Sequence, residues 1–81
     1  MGVKIVSFLK VNQGFANKII EELKQIPMVS KIQSITGEYD LLLEINAPES
    51  EGLADTFSKS IDTISGIKEI HSHLILKTWE K

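Results

Sequence analysis

A single glycine, Gly37, separates the β-branched stretch Ile32 to Thr36 from the run Tyr39-Asp40-Leu41-Leu42-Leu43. Glycine takes positive φ at no steric cost, so a break of this kind between two strand-forming runs predicts a tight hairpin. Two neighbouring antiparallel strands are thereby fixed near the middle of a chain of only 81 residues. The same stretch puts a carboxylate, Asp40, one residue into a strand that stays apolar until Glu44. A charge at the mouth of an apolar layer either satisfies its own turn or meets a ligand.

The flanking sequence supplies the other elements. Val3 to Val11 alternates Val3, Ile5, Leu9 and Val11 with Lys4, Val6, Phe8 and Lys10, which predicts a strand apolar on both faces. Asn12-Gln13-Gly14 forms a loop able to cap the next element. Phe15, Ile19, Leu23 and Ile26 then recur at helical spacing, and Pro27 ends that helix near Gln25. Val29 to Thr36 and Tyr39 to Asn46 are the two strands of the hairpin, the second with Tyr39, Leu41, Leu43 and Ile45 on one face. Ala47-Pro48-Glu49-Ser50-Glu51 has the proline and acids of a helix start, and Leu53, Phe57, Ile61 and Ile64 form a second apolar stripe. Gly66 provides a left-handed cap, and Ile67 to Thr78 forms the last strand.

The order β-α-β-β-α-β, with helices of about four turns, predicts an α+β, ferredoxin-like sandwich. Right-handed crossovers place both helices on one face of a four-stranded antiparallel sheet. The other face would then expose large apolar side chains, Leu42 among them. At roughly 25 cal/mol per Å², leaving several such groups in water forgoes energy comparable with the stability of a small domain. Dimerisation through the sheet is the expected remedy.

Composition narrows the function. The chain has no cysteine, which excludes disulfides, thiolate metal sites and thiol nucleophiles. Its nine basic residues are all lysine, and the net charge is −2. Without arginine's forked guanidinium or a basic excess, direct nucleic-acid binding is not expected. No apolar run reaches the roughly 20 residues of a membrane span and no signal peptide is visible, so a cytoplasmic protein is expected. The interior positions are Leu, Ile, Val and Phe, with no nucleophile-base pair and no phosphate loop, which speaks against an enzyme.

The motifs I-T-G-E-Y-D-L-L-L-E-I (35–45), S-G-I-K-E-I-H-S-H (65–73) and the final L-I-L-K (74–77), taken in order and spacing, resemble the ligand-binding domain of the Lrp/AsnC regulators, also called the RAM domain. The resemblance covers nearly all of residues 1–81, expected as one domain. Family members carry a DNA-binding helix-turn-helix ahead of this domain, whereas this sequence opens on the sensor's first strand, so a stand-alone form is expected. The resemblance implies no catalysis and no cofactor. It implies a homodimer that assembles further into rings of dimers, a small effector such as an amino acid, and full-length Lrp/AsnC regulators as partners.

Carried over by position, the effector-contacting turn falls on Gly37, Tyr39 and Asp40, with Ser34 on the strand before it, and a second segment falls on Ser72, His73, Leu74 and Ile75. Asp40 would accept from an α-ammonium, N–H groups near Gly37 would hold a carboxylate, and Leu74 or Ile75 would wall a side chain. His71 and His73 lie two apart on a strand, hence on one face; two ligands do not complete a metal site, and none is expected. A histidine pair in a dimer interface would give pH sensitivity instead. The competing function is a small dimeric ferredoxin-like enzyme of the monooxygenase or isomerase type, since fold alone does not settle function.

Overall fold

The computed structural model describes residues 2–47, 59–61 and 63–81. Four strands and one helix are assigned: β1 (Val3–Val11), α1 (Ala16–Leu23), β2 (Val29–Ser34), β3 (Leu41–Ala47) and β4 (Ile67–Ile75). Residues 59–61, ahead of β4, are also helical. All strand pairs are antiparallel and the sheet order is β2-β3-β1-β4. This is the ferredoxin-like α+β arrangement expected from the order of apolar periods. Pro48 to Glu51, Leu53 and Phe57, expected in the second helix, lie outside the described residues.

Register sorts every strand residue onto one of two faces. Ile5, Ser7 and Leu9 of β1 share a face with Leu41, Leu43 and Ile45 of β3. These residues pack with Ile19 and Leu23 of α1 into one core that also takes in Ile26, Ile61 and Ile64. Each fully buried leucine or isoleucine there contributes roughly 1.5–3 kcal/mol. Ser7 is the exception among them, a fully buried hydroxyl, and it is satisfied by Ser72 Oγ at 2.7 Å, its cross-strand partner.

Three expectations need correction. The link between β2 and β3 is not a tight hairpin: residues 35–40 lie outside the strands, and the connection is closed by Ile35 N–H donating to the Asp40 carbonyl at 3.0 Å. Asp40 therefore precedes its strand instead of standing inside it. The first helix is also shorter than four turns, eight residues in all. It tightens at its end, where Gln25 N–H reaches Glu22 O and Ile26 N–H reaches Leu23 O, before Pro27 turns the chain away. The last strand stops at Ile75 and not at Thr78.

Both outer strands are interrupted by a register shift. In β2 it falls between Val29 and Lys31, leaving Ser30 to donate from Oγ to the Glu44 carbonyl at 3.1 Å. Opposite β4 it falls between Lys10 and Val11, where Lys10 faces Glu69 but Val11 faces Ile67. No described helix is long and apolar enough to cross a membrane.

Candidate functional site

The face of the sheet turned away from α1 is organised in rows across the strands. Lys31, Glu44, Val6 and His73 make one row; Gln33, Leu42, Phe8 and His71 make the next. Lys10 and Glu69 follow in a third, and Lys4 and Ile75 lie beyond the first. Val6, Phe8 and Leu42 give the face an apolar patch, beside which Lys31 pairs with Glu44 at 3.6 Å and Lys10 with Glu69 at 3.7 Å, while Lys4 at one end has no ion pair among the described residues.

Aromatic rings run across this face. His71 meets Tyr39 at 5.5 Å between centroids, Tyr39 meets Phe8 at 5.5 Å, and Phe8 meets His73 at 6.0 Å. The Lys10 ammonium lies 6.0 Å from the Tyr39 ring centre. Tyr39 is therefore on the Phe8 side of the sheet, not on the Leu41, Leu43 and Ile45 face that strict alternation assigned to it. Because β3 begins only at Leu41, residue 39 belongs to the connection and is free of the strand's period.

The His71 imidazole Nε2–H donates to Glu69 Oε1 at 3.2 Å, since an ionised carboxylate only accepts. That hydrogen bond first, and the Lys10 charge second, hold the exposed Glu69 carboxyl below the usual glutamate range.

Asp40 accepts the Val11 N–H on Oδ2 at 2.9 Å, while its own N–H donates to the Leu9 carbonyl at 2.8 Å. Its carboxylate thus continues the β1 ladder where β3 has not yet begun. Gly37 has φ of +104° with nothing within 4 Å of a built Cβ, so conformation and not space selects glycine there. Ser34, the last residue of β2, is exposed and pairs with Leu41.

The second group splits by strand period. Ser72 lies on the helix face against Ser7, and Leu74, on the same side, is 51% exposed. His73 and Ile75 lie on the open face. Leu74 and Ile75 line a shallow groove of about 400 Å³ with Lys4 and Lys77. Asp40 stands level with Lys10, whereas Ser72 pairs with Ser7 and Ile75 with Lys4. At roughly 3.3 Å per residue the two groups are about 10 to 20 Å apart along the strands. The groove at Leu74 and Ile75 is lined by none of Ser34, Gly37, Tyr39 and Asp40, while Tyr39 and His73 come nearest one another, on either side of the Phe8 ring.

Phe8, Lys10 and Glu69, which connect the rings and charges of this face, are absent from the site that the sequence suggested. Their signal was the shared parity of 8 and 10 on one strand and of 69, 71 and 73 on another, which becomes usable only once register is known.

These features define an α+β domain with a closed apolar interior and an open, ring-lined sheet face. The chain matches the Lrp/AsnC ligand-binding domain over residues 5–81, and it belongs to that family. It is 29% identical over 80 residues to the HTH-type transcriptional regulator FL11 of Pyrococcus horikoshii, covering 96% of this chain and 52% of that protein. The chain thus spans about half the length of the curated relatives it matches. TTHA0845 of Thermus thermophilus superposes with a TM-score of 0.87 at 19% identity, covering 98% of this chain and 99% of that one. A transcriptional regulator of Neisseria meningitidis, solved as a complex with L-Met, superposes with a TM-score of 0.86 at 15% identity over 98% of this chain and 53% of its own. The family is one of ligand-binding domains from transcriptional regulators, and the monooxygenase or isomerase alternative finds no support. Between sheet and α1 the space is filled by Leu9, Ile19, Leu23, Leu41 and Leu43, each 1% exposed or less.

Proposed function

We propose that this domain is a non-catalytic cytoplasmic sensor of a small effector, an amino acid, working as a homodimer formed sheet to sheet and assembled further into a ring of dimers. The observation that carries the reading is the open face: an apolar patch of Val6, Phe8, Leu42 and Tyr39, with the ion pairs Lys31–Glu44 and Lys10–Glu69 beside it and Lys4 at one end. The molecule measures 37 × 30 × 17 Å, so its broad face is large enough for the roughly 800 Å² that each partner contributes to a standard interface. A second copy removes that apolar area from water and leaves both of those ion pairs intact.

The effector residues fit the same assembly. Asp40 stands roughly 20 Å along the strands from Ile75, too far for one small molecule to touch both within a chain. Copies packed together bring the turn of one against the last strand of another. The L-Met held by the Neisseria relative supports an amino-acid ligand. Asp40 can take an α-ammonium, in competition with Val11 N–H. Relatives about twice as long are HTH-type transcriptional regulators by name, which makes full-length regulators natural partners.

Two measurements test this. Sedimentation at micromolar concentration gives a dimer or larger; single chains of 9.1 kDa throughout would end the reading. Thermal melting with each amino acid at about 100 times its dissociation constant gives roughly 2.7 kcal/mol of stabilisation for the true effector. Asp40→Ala retains the fold and loses that shift.

A further inference from the structure

We infer that His73 makes assembly of this domain proton-linked, its neutral ring favouring the sheet-to-sheet pair and its charged ring opposing it. The inference rests on the dimer proposed above and adds its regulation.

His73, on the outer strand β4, stands opposite Val6 and edge-on to Phe8 at the margin of the apolar patch of the open face. Its charged and titratable surroundings are these. From β1, Lys4 and Lys10 stand one row to one side and two rows to the other. From β3, Glu44 lies beyond Val6 in the same row. From β4 itself come His71 and Glu69, and from the connection before β3 comes Tyr39. Both carboxylates already hold lysines, Glu44 with Lys31 and Glu69 with Lys10, and the His71 ring also bonds Glu69. Among the described residues no acid is bonded to His73.

The two imidazoles therefore differ. A proton on His71 is balanced by the Glu69 carboxylate to which that ring already donates. A proton on His73 leaves a cation beside Val6 and Phe8 that only water can solvate. A second copy laid over this face removes the water, and desolvation favours the neutral imidazole. A twofold pair holds two such rings, so separation can take up as many as two protons per dimer. Association strengthens as pH rises through the histidine range and weakens as it falls.

The test is the dimer dissociation constant of the full chain by analytical ultracentrifugation at about pH 8 and about pH 5.5, on either side of the ordinary histidine value of roughly 6.5 and above that of a carboxylate. Circular dichroism confirms the fold at both. For the unaltered chain the constant rises at least about tenfold at the lower pH, as one unit of linkage requires. His73→Phe keeps a ring against Phe8 and removes the response; His71→Gln retains it. A dimer whose affinity does not move with pH, or whose response survives His73→Phe, overturns the inference and leaves the dimer standing. Single chains at both pH values overturn the dimer itself, and the inference with it.

Discussion

Replacing Gly66 by alanine measures how firmly the entry to β4 is held against the start of α1. Gly66 has φ of +98°, and its carbonyl accepts the Asn12 N–H at 2.7 Å, so this backbone is not free to rotate. A Cβ built there meets the Phe15 ring at Cδ1, with Cγ at 2.5 Å and Phe15 Cβ at 2.7 Å. These are the root of the side chain and not its tip, so Phe15 must swing away from the turn. The left-handed conformation costs an alanine roughly 1–2 kcal/mol. Phe15 is 37% exposed, and losing about half of the 1.5–3 kcal/mol that burial of such a ring provides adds about 1 kcal/mol or more. The sum is about 2–4 kcal/mol, or roughly 10–25 °C in Tm for a domain of this size. Melting at fixed protein concentration, followed by circular dichroism, reads it directly. In a Phe15→Gly background, which also removes the Cβ met at 2.7 Å, only the backbone part, about 1–2 kcal/mol, should remain. A Gly66→Ala protein within about 0.5 kcal/mol of the parent would refute the reasoning, as would an equal loss in both backgrounds.

The buried hydroxyl pair should respond asymmetrically. Ser72→Ala leaves the fully buried Ser7 hydroxyl without its partner and costs roughly 1–3 kcal/mol, whereas Ser7→Ala leaves the exposed Ser72 to water and costs about 1 kcal/mol or less; denaturant unfolding compares them. Glu69 should titrate by carboxyl NMR at a lower pH than an ordinary glutamate, and His71→Gln should move its midpoint up towards the ordinary range. Because the folded value is depressed, the stability it provides is present above the unfolded carboxylate range and lost as pH falls through the folded one; thermal melts over that acid window check the sign.

Much of this fold is visible in residue order. Val3 to Val11 is a strand over the whole expected range, Ile19 and Leu23 face the core as their spacing predicts, and Gly66 takes the left-handed conformation expected of a cap. The connection at residues 35–40 was misread because a glycine between two strand-forming runs is compatible with several loop lengths. What decided it was Asp40, whose backbone and carboxylate are both drawn to β1, a contact between residues 29 positions apart. For the same reason Tyr39 escaped its assigned face. The candidate site residues were nameable one by one, but their division between two faces depends on the β1–β4 register, which no local pattern encodes. Local chemistry leaves the Asp40 carboxylate between its own turn and a ligand, and in the fold it accepts from Val11 of β1.

The displaced pairings on both outer strands limit how this sheet can grow. A strand arriving at either margin would meet a ladder that changes step partway along, beside Ser30 on one side and beside Lys68 on the other, and could not pair evenly along it. Lateral extension into fibrils is thereby discouraged, while the broad surface carrying Phe8 and Leu42 keeps an unbroken register. What the sheet offers to a copy of itself is its broad face and not its margins, since α1 covers the opposite side.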